Sequence, residues 1–141
     1  MKTTIYDQEH KVIPWVGSRI DEDDFGEKPV ALGLEENGKL IAGVVFNWYT
    51  GASICMHVAA EPGKRWLTRD FLFRVFAYPF LQLECNRVTG LVRTDNLTAQ
   101  RFDEQLGFVR EGVIRKGATD GTDFILYGML KEECRWLELK R

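Results

Sequence analysis

Apolar positions switch between helical and strand spacing five times along the chain. Val12, Trp15, Val16, Arg19 and Ile20 recur at helical spacing and predict a short amphipathic helix, with Pro14 tolerable only near its first turn. Asp21-Glu22-Asp23-Asp24 follows and reads as a solvated acidic link rather than a binding motif. From Val30 the pattern is that of strands. Residues 30–34 and 40–49 flank Asn37-Gly38, a pair that suits a type I′ hairpin turn because both central positions need φ > 0. Thr50-Gly51-Ala52 then turns into a third strand over residues 53–59. The middle strand is apolar on both faces near residues 41–46, as a central strand is.

Glu61-Pro62-Gly63-Lys64-Arg65 breaks the sheet pattern. Thr68 is a good N-cap for the helix that follows, and Leu67 with Leu72 occupies the two positions of a hydrophobic staple. Phe71, Leu72, Val75, Phe76, Phe80 and Leu83 make its buried stripe, and Pro79 must kink or end it. Residues 87–92 form a strand. Asn96 caps a further helix whose inner face is Ala99, Phe102 and Leu106, and Gly107 ends it where a left-handed residue is wanted. Residues 108–115 and 123–130 are a closing strand pair, with Asp120-Gly121 as turn signal between them. The order α-β-β-β-α-β-α-β-β predicts one α+β domain over residues 1–141: a mixed, mostly antiparallel sheet with helices on its faces.

Composition narrows the classes of function. A chain of 141 residues can bury a core without metal or disulfide staples. Its formal net charge of −2 argues against sequence-independent grip on nucleic acid. No stretch approaches the ~20 apolar residues that span a bilayer, and residues 1–10 show no secretion signal. Cys55, Cys85 and Cys134 are odd in number and far apart, and His10 and His57 share no ligand spacing with them. These features predict no disulfide, no metal site and a reducing cytoplasm.

Several motifs carry a resemblance. Asn86-Arg87-Val88-Thr89-Gly90-Leu91-Val92, Asn96-Leu97-Thr98-Ala99, Leu106-Gly107-Phe108, Glu111-Gly112-Val113-Ile114-Arg115, and Asp123 with Tyr127-Gly128 resemble the GCN5-related N-acetyltransferase superfamily. They are most similar to the branch that acetylates protein N-termini, ribosomal-protein alanine acetyltransferases among them, and polyamines. Arg65-Trp66-Leu67-Thr68-Arg69 and Glu132-Glu133-Cys134-Arg135-Trp136 are similar to acetyltransferase-like proteins of tailed bacteriophages, which would place the chain in the host cytoplasm. The resemblance implies acetyl-CoA as co-substrate, lying in a V-shaped split between the strands at residues 53–59 and 87–92. Backbone near Val58 and Ala59 would pair with the pantetheine arm, and Asn96 and Phe102 would line it. The loop of Lys64, Arg65, Trp66, Leu67, Thr68 and Arg69 would hold the pyrophosphate, because a loop opening a helix offers free N–H groups and a positive dipole end.

This sequence departs from the family pattern at three places. Gly63, Trp66 and Thr68 stand where the loop carries Arg/Gln, Gly and Gly/Ala. Asp103 stands where a tyrosine often protonates the leaving thiolate, and it suits that task only if burial raises its pKa. Asp70 would repel a pyrophosphate unless it points away.

His57 is a candidate base, against the plainer reading of a satisfied strand histidine, and Glu111 is a second candidate, against a backbone-bracing role. Three functions follow. The first is an N-acetyltransferase acting directly on a primary amine of a protein N-terminus, a lysine or a small molecule. The second is a catalytically silent acyl-CoA binder. The third is an interaction protein that uses Trp66, Trp136 and the acidic link. A homodimer is compatible with each.

Overall fold

The computed structural model describes residues 1–138. The chain opens on β1 (Lys2–Ile5), which the hydrophobic pattern did not predict: of its four residues only Ile5 is buried, and it pairs with one neighbour along the sheet edge. Helix α1 (Glu9–Ile20) follows. Pro14 lies in its middle, not in its first turn as expected. The carbonyl that loses a donor there belongs to His10, and both residues are on the exposed side, so that carbonyl is not sealed from solvent. Asp21 ends the helix in the left-handed region, its N–H returning to the Gly17 carbonyl.

Asn37 and Gly38, with φ of 52° and 83°, form the expected turn between β2 (Val30–Glu36) and β3 (Lys39–Asn47). All of β3 except Lys39 is buried, as a central strand requires. Gly33 and Gly43 are cross-strand partners under α1. A Cβ on Gly43 would lie 2.6 Å from Val16 Cγ2, so its absence lets the helix sit close on the sheet. Strand β4 (Ser53–Ala60) completes an antiparallel four-stranded half.

Helix α2 (Arg69–Ala77) starts at Thr68, whose hydroxyl accepts from Phe71 N at 3.2 Å. Pro79 ends it, in a π-helical turn over Tyr78–Gln82 that keeps Phe80 buried. Strand β5 (Arg87–Arg93) leads to α3 (Leu97–Leu106), capped by Asn96 and closed by Gly107 at φ 109°. The inner face of α3 differs from the expected one. Gln100, Asp103 and Leu106 are its buried residues, while Ala99 and Phe102 are half-covered at one side. The polar Gln100 belongs inside because its amide bonds the Arg93 and Thr94 carbonyls at 3.2 and 3.0 Å. Strands β6 (Val109–Ile114) and β7 (Phe124–Leu130) close the sheet in the order β1-β2-β3-β4-β5-β7-β6.

The two antiparallel halves meet at one parallel pair, β4 with β5. Helix α1 covers one face with Val12, Val16, Phe25, Val45 and Ala59. Helices α2 and α3 cover the other, around Phe46, Phe71, Phe76, Phe80, Val88 and Tyr127. The α+β class, the mixed sheet and helices on both faces are as the sequence predicted.

Candidate functional site

Strands β4 and β5 pair only over Ser53↔Arg87, Ile54↔Val88 and Cys55↔Thr89. Each then continues along its other neighbour, β4 on β3 to Ala60 and β5 on β7 to Arg93. The two strands therefore part, and a split opens between them. The Ala52 carbonyl points to the β5 side, where Asn86 N donates to it at 2.7 Å, and Glu61 N points to the β3 side, donating to Ile41 O at 2.8 Å. Backbone direction alternates along a strand, so Met56, Val58 and Ala60 turn their N–H and C=O groups into the split. Val58 is thus placed as the sequence suggested. Ala59 is not: its backbone faces β3, opposite Gly43, and its side chain packs under α1.

A cavity of about 250 Å³ occupies the split. Met56, His57 and Val58 form one wall, and Leu91, Val92 and Arg93 with Asn96, Ala99, Phe102 and Asp103 form the other. Ile20, Asp21, Glu22 and Trp48 close one end, and residues 117–120 with Phe124 the other. Arg93 fixes that second end through ion pairs with Asp95 at 3.0 Å and Asp120 at 2.7 Å, and its hydrogen bond holds the Asp120 carboxyl well below the usual range. Asn96 caps α3 through Ala99 N at 3.1 Å while facing the cavity.

Burial acts oppositely on His57 and Asp103, one on each wall. His57 is pushed down from 6.5 to about 4 because its cation would be desolvated, so the imidazole is neutral at pH 7. Asp103 is pushed up from 3.8 to about 7, first by desolvation and then by the Glu104 charge. No described donor hydrogen-bonds the Asp103 carboxyl. Thr4 Oγ1 is the one fully buried side-chain polar atom without a partner among the described residues, so the unpaired Asp103 oxygens keep open surface. Beneath α3, Tyr127 donates to Glu104 at 2.7 Å and Arg110 reaches the same carboxylate at 3.1 Å. That network turns the Tyr127 hydroxyl toward α3 and braces the helix carrying Asp103.

Other expected residues lie elsewhere. Glu111 is not in the cavity: it pairs with Arg87 at 2.8 Å across Gly128. None of Lys64, Arg65, Trp66, Leu67, Thr68 and Arg69 lines it either. Lys64 pairs with Glu36 at 3.3 Å. Trp66 is 4% exposed and stacks edge-on against Phe102 at 5.1 Å, so it fills core where glycine was sought. Leu67 is half-buried against the α2 core, as a staple residue is. Arg65 and Arg69 have no ion-pair partner among the described residues, and Arg74 holds Asp70 at 3.1 Å along the helix. Asp21 and Glu22 were missed, since an acidic link carries no periodicity that would seat it beside a distant strand, and Trp48 was read as strand although β3 ends at Asn47 and Trp48 takes φ 53°. Burial raises the thiols of Cys55, Cys85 and Cys134, which makes each a poor nucleophile at neutral pH. Among the described residues no cluster is arranged to hold a metal, and no helix is long and apolar enough to cross a membrane.

No family model and no curated protein matches the chain. Solved structures do. A candidate acetyltransferase of T. thermophilus is 25% identical over 77% of this chain, with a TM-score of 0.65, and the chain spans 62% of that protein's length. A spermidine N-acetyltransferase from Vibrio cholerae, in complex with CoA and spermine, is 17% identical with a TM-score of 0.71, covering 97% of this chain and 98% of its own. A chimera of that enzyme with hSSAT gives 17% identity and a TM-score of 0.72, covering 96% and 98%. The fold is that of the GCN5-related N-acetyltransferases, as the sequence motifs implied.

Proposed function

We propose that this chain, built on the N-acetyltransferase fold, is an acetyl-CoA-dependent N-acetyltransferase that acts directly on a primary amine. The observation that carries the reading is the split itself: a cavity bounded by an unpaired strand edge, with a neutral imidazole on one wall and a protonatable carboxyl on the other.

The residues present fit the co-substrate at its pantetheine end. Met56, Val58 and Ala60 offer alternating donors and acceptors, and Asn96 and Phe102 face them. Toward the pyrophosphate, Arg65 and Arg69 supply charge, and Thr68 keeps a hydroxyl proton to donate while its oxygen caps α2. Acetyl-CoA supplies the acetyl thioester. Within this chain, His57 accepts a proton from the amine as its bond to carbon forms, since burial makes the ring too weak a base for a free ammonium. Asp103, half protonated near pH 7, gives a proton to the departing sulfur, the task the family often assigns to tyrosine. The raised thiols support direct transfer without an acetyl-cysteine.

Asp21 and Glu22 among the lining residues favour a cationic amine as acceptor, a requirement that a small polyamine, a lysine and a protein N-terminus all meet. The finer kinships, to the ribosomal-protein alanine acetyltransferase branch and to phage proteins, remain readings of the motifs. Cytoplasmic location and the absence of a nucleic-acid or membrane partner rest on the cysteine count, the net charge and the lack of a long apolar stretch, and a homodimer is compatible with the same reading. The second function, a silent acyl-CoA binder, is favoured by Trp66 filling the loop's glycine position. The third is disfavoured: Trp66 is core, and Trp136 is pinned to the Leu106 carbonyl at 2.8 Å.

Thermal melts with acetyl-CoA, followed by an amine screen, test the reading. Acetyl-CoA at about 100 times its Kd should stabilise the fold by roughly 2.7 kcal/mol. A melt unmoved at millimolar acetyl-CoA removes both the enzyme and the binder. Stabilisation without turnover of any amine leaves the binder.

A further inference from the structure

Asn47 is 4% exposed at the end of β3 and belongs to no part of the function described so far. Its side chain has two partners. Nδ2 donates to the Phe25 carbonyl at 3.1 Å, and Oδ1 lies 2.9 Å from His57 Nε2. The Phe25 carbonyl can only accept, so the amide nitrogen must face it and the amide oxygen must face the histidine. The reversed amide would set two acceptor oxygens against each other in a buried place. An amide oxygen also only accepts, so His57 Nε2 must carry a proton. The ring is neutral at pH 7 and holds a single N–H, which leaves Nδ1 bare.

We infer that Asn47 is a positioning residue: it locks His57 in the Nε2–H tautomer and so makes Nδ1 the proton-accepting atom of the split. Three observations bear on where Nδ1 stands. No described group hydrogen-bonds it. It is absent from the fully buried unpartnered atoms, where Thr4 Oγ1 stands alone among the described residues, so it keeps some accessible surface. His57 lines the cavity. The device also gives the acidic link a purpose. Phe25, 5% exposed, lays its ring edge-on to the imidazole at 5.2 Å and presents the carbonyl that orients Asn47. The link's exposed acids thus flank an anchor that fixes the ring from outside the sheet.

The inference rests on the acetyltransferase reading for the use of Nδ1, but its test does not. Long-range ¹H–¹⁵N correlation spectra of the folded chain at pH 7, without acetyl-CoA, report the two ring nitrogens of His57 separately. The expected result is one tautomer, with Nε2 protonated and its proton slow to exchange with water. A free imidazole averages both forms, so averaged ¹⁵N shifts, or a protonated Nδ1, would overturn the inference even if no variant folds. Two variants sharpen it. Asn47→Asp keeps an acceptor facing Nε2 and should keep that nitrogen protonated, at lower stability because the donor to the Phe25 carbonyl is lost, and read above the pH at which the new carboxylate charges the ring. Asn47→Leu removes the acceptor and should give averaged shifts; an unchanged single tautomer there would also overturn it. With an acceptor amine in hand, Asn47→Leu should lower kcat by ~10-fold or more while acetyl-CoA affinity stays as in the parent. Failure of the function itself is read separately, from the acetyl-CoA melt.

Discussion

The split between β4 and β5 and the loop before α2 are the two places where this fold would meet an acyl-CoA, and they are built differently. The split is made by register: three paired residues, then divergence, with each strand held by its other neighbour. Side-chain substitutions around it do not close it. The loop has no such protection. Its fitness for phosphate depends on backbone close to the ligand, and here Trp66 occupies that region as core while Thr68 stands where the second glycine or alanine would be. A function carried by strand geometry survives drift in residue type; one carried by small residues does not.

The sharpest way to break this comparison is at Trp66. If it is core, Trp66→Ala costs about 3–5 kcal/mol of stability, measured by denaturant unfolding. If instead the indole merely covers a phosphate loop, the variant melts like the parent and binds acetyl-CoA more tightly.

The split predicts a pH signature. Asp103, raised from 3.8 to about 7, contributes stability that is full below its unfolded value and is lost as pH rises through 7. His57, lowered from 6.5 to about 4, contributes stability that is full above its unfolded value and is lost as pH falls through 4. The two slopes oppose each other over the same window. Asp103→Asn should therefore gain stability relative to the parent as pH rises from 5 to 8, by at most about 2.7 kcal/mol, the part of the shift that lies above pH 5. His57→Gln should gain relative to the parent as pH falls from 7 to 5, by at most about 2 kcal/mol, the part of the shift that lies above pH 5. Urea midpoints at several pH values read both, and parallel curves for parent and variants would contradict the burial argument. Asp103→Asn should also cut kcat ~100-fold with acetyl-CoA binding retained.

Asn96 separates capping from contact within the split. Asn96→Ser keeps the cap and should weaken acetyl-CoA by roughly two- to tenfold, from one lost hydrogen bond. Asn96→Ala should show the same defect plus about 1 kcal/mol of lost stability. Equal acetyl-CoA titrations for Asn96→Ser and the parent would make Asn96 a cap alone. The smallest effects belong to the loop. Arg65→Ala and Arg69→Ala should each weaken acetyl-CoA by a few-fold, less so at high salt, with kcat unchanged. A loss of kcat in either would place the loop nearer the chemistry than its exposed cations imply.

Local signals were legible wherever the physics is local. Thr68 and Asn96 cap because a side-chain oxygen three residues ahead of an N–H needs nothing else, and Asn37-Gly38 turns because few residues take positive φ. Strand β1 was not legible: with one buried residue it exists only because β2 offers an edge. Pro14 misled because a mid-helix proline costs about 3 kcal/mol without forbidding the helix, and here packing of Val12 and Val16 on the sheet holds α1 together across it.

From the residues alone follow the order of elements from β2 onward, the caps, the apolar stripe of α2 and, through the motifs, the kind of fold. What those residues are able to do was settled by packing. That Glu111 stands with Arg87, that Phe25 and Asn47 converge on His57, and that Asp21 and Glu22 rim the cavity depend on contacts between segments ten to more than thirty residues apart. The pKa values of Asp103 and His57 were set the same way. Desolvation is a property of everything packed around a group, and no neighbour in sequence reveals it.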